Sequence, residues 1–186
     1  MVYTFKATDL KIIGKYLIED LSTKVVRIDG PMGAGKTTIG KQIAGYHNYN
    51  FIDTDRKIEE ITGKKISDIF EEDGERYFRQ LETSILKEIP PKNIVSCGGG
   101  LPIYNNNMRF INESGISLYL KASEESIFDR LSKKPNNRPL ILNNSKEKLR
   151  KFIKSKLKER EDNAAMLREQ DTPILGSGSE GWPKAT

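Results

Sequence analysis

The chain has very few of the residues on which several common mechanisms depend. It contains one cysteine and one histidine in 186 residues, so it cannot form an intramolecular disulfide and the cysteine cannot build a zinc site by itself. No apolar run approaches the length of a membrane-spanning helix. The N-terminus does not have the basic start, apolar segment and small-residue cleavage site of a secretory signal. We therefore expect a cytoplasmic protein that does not enter a membrane.

Charge of one sign is also not concentrated anywhere in the sequence. The chain has 31 Lys and Arg against 26 Asp and Glu, for a formal net charge of +5. Basic residues are interspersed with acidic ones, as in KEREDN and EEDGER, and no basic patch with interleaved aromatic residues stands out. The excess charge therefore favours a small anionic substrate over a nucleic acid.

Short apolar segments alternate with helical patterns from about Lys24 onward. This alternation is typical of an α/β domain with a mainly parallel sheet. The predicted strands are rich in β-branched or aromatic residues, as strands buried on both faces should be, and cover residues 25–29, 50–53, 94–97 and 116–120. The predicted helices cover residues 36–46, 55–62, 75–88, 105–113, 123–131 and 145–167.

The two ends of the chain differ from this alternating pattern. Residues 1–23 predict a strand at 3–5 and an amphipathic helix with apolar residues at positions 10, 13, 17 and 21. Residues 176–186 are rich in Gly and Ser and predict a flexible tail. We therefore expect an N-terminal extension at 1–23, one compact domain at 24–175 and a tail at 176–186.

The strongest motif is GPMGAGKT, residues 30–37, between a predicted strand and a predicted helix. It matches the GxxxxGK[ST] phosphate-binding loop in the strand–loop–helix context that the loop requires. Its glycines allow the backbone N–H groups to surround phosphate oxygens at a helix N-terminus. Lys36 is predicted to contact the β and γ phosphates, and Thr37 to bind Mg²⁺. The other predicted nucleotide-binding residues of this segment are Gly33, Ala34, Gly35 and Thr38.

Two aspartates, Asp53 and Asp55, follow the next predicted strand. Ligands of open parallel sheets bind outside the carboxyl ends of the strands, so this pair should lie beside the phosphate-binding loop. We assign Asp53 to the magnesium ion, and Asp55 to the acceptor hydroxyl as its orienting group and candidate base. The alternative is that an aspartate here caps the next helix.

Three glycines, Gly98, Gly99 and Gly100, follow Cys97 at the end of a third predicted strand. They predict a backbone nest that a ligand approaches closely, with a flexible turn as the alternative. Cys97 is predicted to be a small buried residue, since no histidine or second cysteine accompanies it. Arginine forks suit carboxylates and phosphates, although a single arginine is more often a solvated surface charge. The candidates are Arg79, Arg138 and Arg160.

Taken together, GPMGAGKTTIGK, FIDTD, GERYFRQLE, CGGG and RPL, in this order, resemble the shikimate kinase family over about residues 24–160. The resemblance implies a three-layer α/β/α fold like that of nucleoside monophosphate kinases, with a five-stranded parallel sheet. It also implies an enzyme of aromatic amino-acid biosynthesis that phosphorylates the 3-hydroxyl of shikimate with MgATP. Shikimate and ATP are then the expected partners, and we expect a monomer.

The resemblance also implies roles for individual residues. Arg79 and Arg160 would hold the carboxylate of the acceptor, with Arg168 as the alternative to Arg160. Asp55 and the glycines 98–100 would hold its hydroxyls. A mobile lid at about residues 132–144 would bring Arg138 to the transferring phosphate, and Arg130 would lie near the adenine.

Two alternatives to this function stay open. A gluconate-type kinase of the same fold would keep Lys36, Thr37 and Asp53 but would need a different acceptor site. The strand and helix pattern of residues 1–23 also has some likeness to small P-loop ATPases of tRNA threonylcarbamoylation, which bind partner proteins. ATP turnover with and without shikimate distinguishes these classes.

Overall fold

A single parallel sheet organises the part of the chain that the computed structural model describes, which comprises residues 4–6, 24–133, 146–168 and 174–176. Its strands are β1 (Thr4–Lys6), β2 (Val25–Asp29), β3 (Asn50–Asp53), β4 (Asn93–Ser96), β5 (Gly115–Lys121) and β6 (Ile174–Gly176). Their spatial order is β1-β6-β5-β2-β4-β3. Every neighbouring pair is parallel, which confirms the predicted α/β class.

The expected number of strands was wrong, because the described sheet has six strands and not five. Four strands, β5-β2-β4-β3, form its central part, and they match the four predicted segments with shifts of one residue in β4 and β5. The short strands β1 and β6 extend one edge, where β6 pairs with β5 and β1 pairs with β6. Strand β6 was not predicted from the sequence, since Ile174 and Leu175 directly precede the segment rich in Gly and Ser and show no alternating pattern.

Seven helices are described, and six of them follow the predicted segments to within two residues at each end. They are α1 (Lys36–His47), α2 (Thr54–Thr62), α3 (Ile66–Glu72), α4 (Gly74–Glu88), α5 (Asn107–Ser114), α6 (Glu124–Lys133) and α7 (Lys146–Arg168). Helix α3 was not predicted, because seven residues cover less than two turns and give little periodicity. The predicted helix of the N-terminal extension, the lid from residue 134 onward and the tail from residue 177 onward lie outside the described residues.

Helices cover both faces of the sheet. On one face, Val26 and Ile28 of β2 belong to a buried apolar cluster that includes residues of α1, α6 and α7. On the other face, Val25 and Val95 pack with Leu86 and with residues of α5. A third cluster joins α2, α3 and α4. The described layers therefore match the predicted three-layer fold, and strands β2 and β4 are fully buried.

The connections at the carboxyl ends of the strands are short and defined by specific residues. Helix α1 follows β2 after a six-residue loop, and α2 begins directly after β3. Ser123 begins α6 as predicted, since its Oγ accepts a hydrogen bond from the Ser126 N–H at 3.2 Å. Within the described ranges no helix combines the length and the apolar character needed to span a bilayer.

Candidate active site

The phosphate-binding loop connects β2 to α1 in a conformation that requires glycine. Gly30, Gly33 and Gly35 have φ angles of 148°, 82° and 102°, a region that residues with a Cβ rarely adopt. A Cβ on Gly30 would also lie 2.7 Å from the Leu120 carbonyl oxygen of β5. Gly35 is the N-cap of α1, so the loop leads directly into a helix N-terminus, where backbone N–H groups favour an anion.

Lys36 and Thr37, the first two residues of α1, lie at the edge of this loop. Lys36 Nζ donates hydrogen bonds to the carbonyl oxygens of Gly30 at 2.8 Å and Pro31 at 3.2 Å. Thr37 Oγ1 donates to Asp53 Oδ2 at 2.8 Å. The structure therefore joins the predicted phosphate-binding lysine and both predicted magnesium ligands at one end of the sheet. Thr38 is the next residue of α1 and is exposed.

The hydroxyl and carboxylate oxygens of Thr37 and Asp53 are the donor type that Mg²⁺ prefers. In the described part of the chain, no group of three or more His, Cys, Asp or Glu side chains could hold a metal ion. A magnesium ion at this site would therefore need further oxygens from phosphate groups and water, as is usual for Mg²⁺ bound with a nucleotide. The donor set fits an ion that arrives with a nucleotide better than an ion held by protein alone.

Helix capping falls on Asp53 and not on Asp55. Asp53 Oδ1 accepts the backbone N–H of Arg56 at 3.5 Å, and Asp53 is the N-cap of α2. Asp55 lies in the first turn of the same helix, so capping does not account for its carboxylate. Between them, Thr54 Oγ1 accepts the Gly98 N–H at 2.8 Å and donates to the Ser96 carbonyl at 3.3 Å. These bonds fix the start of α2 against the end of β4.

Two carboxylates converge on Gly98. A Cβ on this glycine would lie 2.5 Å from Asp55 Oδ1 and 2.7 Å from Glu82 Oε1. Asp55 comes from α2 and Glu82 from α4, so neither carboxylate could occupy its position if residue 98 had a side chain. Gly98 therefore leaves the space that both carboxylates occupy.

The guanidinium of Arg79 packs on Gly100 in a similar way. A Cβ on Gly100 would overlap Arg79 Nη1 and lie 2.8 Å from its Cζ. Arg79 Nη1 donates to Glu82 Oε2 at 2.8 Å, and its Nε and Nη2 donate to Glu75 Oε1 at 3.1 and 2.8 Å. Only 15% of the Arg79 side chain is exposed. The structure therefore brings together Asp55, Arg79 and the glycine segment, residues 98–100. The family resemblance assigned all of them to one acceptor site.

The glycine segment differs from the nest that its sequence predicted. None of its three glycines is among the described residues with positive φ, and the Gly98 N–H is already donated to Thr54. The Gly98 and Gly100 carbonyls accept the N–H groups of Leu101 and Ile103 at 3.2 and 2.9 Å. Two of the three glycines, at 98 and 100, instead make room for the side chains of Asp55, Glu82 and Arg79.

Glu82 is a site residue that the sequence analysis did not single out. Its side chain is 1% exposed. Burial raises its pKa to about 7, against the opposing effect of the Arg79 ion pair and with support from the nearby charge of Asp55. An acid three residues after Arg79 on a helix could have suggested an ion pair. Its complete burial follows only from the packing of α4 against the glycine segment.

The same ion pairs change the pKa values of Arg79 and Glu75, which both lie on α4. Burial alone would lower the pKa of Arg79, but its bonds with Glu82 and Glu75 outweigh burial and raise it above the ordinary value. The hydrogen bond from Arg79 lowers the pKa of Glu75, and the Tyr104 hydroxyl and the charge of Lys156 act in the same direction. Arg79 therefore stays charged.

The other predicted arginines have different outcomes. Arg130 Nη1 donates to the carbonyl oxygens of Gly33 at 3.2 Å and Ala34 at 2.7 Å, so this residue of α6 contacts the phosphate-binding loop itself. Arg138 lies outside the described residues. Arg160 and Arg168 lie within the backbone range of α7, and their side chains are outside the described part of the structure.

Cys97 is buried, as predicted, with 1% of its surface exposed. Its N–H donates to the Ile28 carbonyl at 3.0 Å. Burial raises the pKa of the Cys97 thiol far above its ordinary value, so the reactive thiolate is disfavoured. Cys97 therefore belongs to the core beside the site.

Comparisons with known proteins agree on one family. The family model described as Shikimate kinase matches residues 32–174. A shikimate kinase of Azobacteroides pseudotrichonymphae is 47% identical over 135 residues, which cover 71% of this chain and 79% of the relative. The crystal structure of shikimate kinase from Bacteroides thetaiotaomicron has a TM-score of 0.76 at 34% identity and covers 83% of this chain and 87% of that one.

A second solved structure, shikimate kinase from Acinetobacter baumannii in complex with shikimate, has a TM-score of 0.73 at 32% identity. The match covers 90% of this chain and 89% of that chain. Two kinds of comparison, of sequence and of structure, therefore point to the same family.

Proposed function

Because this chain belongs to the shikimate kinase family, we propose that it transfers the γ-phosphate of ATP to the 3-hydroxyl of shikimate. It is an ATP-dependent kinase of aromatic amino-acid biosynthesis. The observation that carries the proposal is the convergence of Asp55, Glu82 and Arg79 on Gly98 and Gly100, at the same end of the sheet as the phosphate-binding loop. A hydroxy acid needs such a combination of carboxylate and guanidinium groups.

The nucleotide side of the site has three parts. Residues 33–38 would surround the phosphates with backbone N–H groups, and Lys36 would exchange its bonds with loop carbonyls for phosphate oxygens. Thr37 and Asp53 would hold Mg²⁺. When bound, this ion would neutralise the charge that develops on the phosphate oxygens. Arg130, which contacts the loop, would lie near the adenine.

The acceptor side has a donor fork and a carboxylate. Arg79 has five N–H donors, of which three are committed to Glu75 and Glu82 within the described residues. The remaining two belong to Nη1 and Nη2 and would bind the acceptor carboxylate. Asp55 would orient the acceptor hydroxyl and take up its proton. Glu82 would hold Arg79 in place.

A second arginine completes the proposed acceptor site. The charge of Lys156 acts on Glu75, which indicates that α7 passes near the Arg79 ion pairs. Arg160 follows Lys156 by four residues of the same helix, a spacing that keeps residues on one helix face. Arg160 is therefore the proposed partner of Arg79, with Arg168 as the alternative. Arg138 would join from the lid that the sequence predicts at about residues 132–144.

Other expectations from the sequence remain proposals. These are the monomeric state, the cytoplasmic location, the lack of a nucleic-acid partner, and the division of the chain at residues 23 and 175. The gluconate-type alternative has less support, since relatives that match most of this chain are named shikimate kinases. The alternative with a protein partner would require turnover that depends on that partner.

A coupled assay of ADP release tests the proposal. Release should be strongly stimulated by shikimate, but not by gluconate or by quinate. The ring of quinate differs from that of shikimate at the carbon that bears the carboxylate. Lys36→Ala should lower kcat at least about 100-fold, because the transferring phosphate loses its cationic clamp. Stimulation by gluconate alone, or turnover only with an added protein partner, would refute the shikimate assignment.

A further inference from the structure

The loop after the glycine segment crosses the Arg79 guanidinium and is fastened to α4. Asn105 Nδ2 donates to the Arg79 carbonyl at 3.1 Å and to Thr83 Oγ1 at 2.9 Å. Asn107 Nδ2 donates to Thr83 Oγ1 at 3.1 Å and to the Leu101 carbonyl at 2.9 Å. These bonds fix the position of the loop relative to Arg79.

Tyr104 is the residue that this loop places on Arg79. The Arg79 Cζ lies 4.0 Å from the centroid of the Tyr104 ring, close enough for a strong cation–π contact. The rings of Phe78 and Phe70 are more distant from Cζ, at 5.3 and 5.9 Å. The Tyr104 hydroxyl also helps to lower the pKa of Glu75. Tyr104 therefore acts on both the arginine and one of its two carboxylate partners.

The contacts of Arg79 restrain it in different directions. Glu75 and Glu82 bind its N–H groups at the edge of the guanidinium, which fixes the group within its own plane. They do not prevent the plane from tilting, because a hydrogen bond tolerates bending at both ends. An aromatic ring whose centroid lies 4.0 Å from Cζ leaves little room for such tilting. Bidentate binding of a carboxylate requires the fork and the ligand to be coplanar, so the tilt of this plane decides the affinity.

We propose that Tyr104 is a positioning residue for the acceptor, which acts by holding the plane of the Arg79 guanidinium so that its two uncommitted N–H groups face the acceptor carboxylate. This inference rests on the proposed function. It assigns no chemical step to Tyr104. The ring acts on binding of the acceptor, while the nucleotide site, which is built from β2 and α1, does not depend on it.

Steady-state kinetics of Tyr104 variants tests this role. Tyr104→Leu and Tyr104→Met remove the aromatic face, and either variant suffices if the other does not fold. The KM for shikimate should rise about 3- to 30-fold, in line with the usual strength of cation–π contacts. The KM for ATP and kcat should stay within about twofold. Tyr104→Phe keeps the ring and should restore the KM for shikimate to within about threefold of wild type.

A matched control and a double variant separate positioning from general damage. Tyr77→Leu removes an exposed tyrosine from the same helix as Arg79 and should leave all three constants unchanged. In an Arg79→Lys background, Tyr104→Leu should raise the KM for shikimate by a smaller factor than it does in wild type, since a lysine has no plane to hold.

Three outcomes overturn the inference about Tyr104. These outcomes are an unchanged KM for shikimate in Tyr104→Leu, a parallel loss of kcat and ATP affinity, and a Tyr104→Phe variant as weak as Tyr104→Leu. The last result would assign the effect to the hydroxyl and Glu75. Failure of the wild-type chain to phosphorylate shikimate would refute the proposed function, and this inference with it, whereas failure in the variants alone leaves the function standing.

Discussion

Replacement of Gly98 by alanine should impair the proposed acceptor site and leave the nucleotide site intact. A Cβ at this position would lie 2.5 Å from Asp55 Oδ1 and 2.7 Å from Glu82 Oε1, whereas ordinary Cβ contacts begin near 3.4 Å. Asp55 would have to retreat by about 0.9 Å and Glu82 by about 0.7 Å to reach that distance. Displacement of a catalytic group by about 1 Å can lower the rate about 100-fold. We therefore expect kcat to fall by roughly that factor.

The nucleotide site should be unaffected by this change. The KM for ATP should remain near the wild-type value, because the heavy atoms nearest to the added Cβ belong to Asp55 and Glu82 and not to residues 30–37. Overpacking of this kind costs about 1–3 kcal/mol of stability, which thermal unfolding would detect. Backbone strain is not involved, since Gly98 is not among the described residues with positive φ.

Gly45→Ala is the control for the same chemical change. Gly45 is exposed near the end of α1, and no heavy atom lies within 4 Å of the Cβ it would gain. Its activity should equal that of wild type, with stability equal or about 0.5–1 kcal/mol higher because alanine favours a helix. If Gly98→Ala kept kcat within about threefold of wild type, the proposed placement of Asp55 at the acceptor hydroxyl would be refuted.

Two further variants test individual carboxylates. Asp55→Asn should lower kcat about 100-fold or more if Asp55 accepts the proton, and a change confined to KM for shikimate would limit its role to binding. Glu82→Gln tests the buried carboxyl, whose pKa of about 7 is raised from 4.5. This raised pKa means that the wild-type chain loses stability as the pH rises from about 4.5 through 7, by up to about 3 kcal/mol. The stability of Glu82→Gln relative to wild type should therefore increase between pH 5 and 8, and a difference in unfolding temperature that does not vary with pH would contradict this reasoning.

Where local patterns carry the information, the sequence predicted the structure well. The GPMGAGKT motif sets the end of β2 and the start of α1, and both were predicted at the observed residues. Residues 50–53 match β3 for a related reason, since Asp53 ends the strand and caps the next helix. The meeting of Thr37 with Asp53 could also be predicted, because the carboxyl ends of parallel strands share one edge of the sheet.

Features that depend on packing between distant elements could not be predicted. Glutamate is rarely buried, so nothing local indicated that Glu82 would lie beneath Gly98. The contact between Tyr104 and Arg79 joins a loop to a helix 25 residues earlier in the chain, and an isolated tyrosine gives no sign of it. The glycines at 98 and 100 suggested a ligand, whereas their immediate neighbours are side chains of the same protein.

The two carboxylate oxygens of Asp53 have different partners, and this restricts which residue types could replace Asp53. One oxygen begins α2 by accepting the Arg56 N–H, and the other meets Thr37. Serine, threonine and asparagine could serve the first purpose, and glutamate could bring a charge to the second, but aspartate alone combines the short reach with the carboxylate. Loss of Asp53 would disturb the start of α2, which carries Asp55, together with the proposed magnesium site. The nucleotide side and the acceptor side of the proposed reaction therefore depend on the same residue.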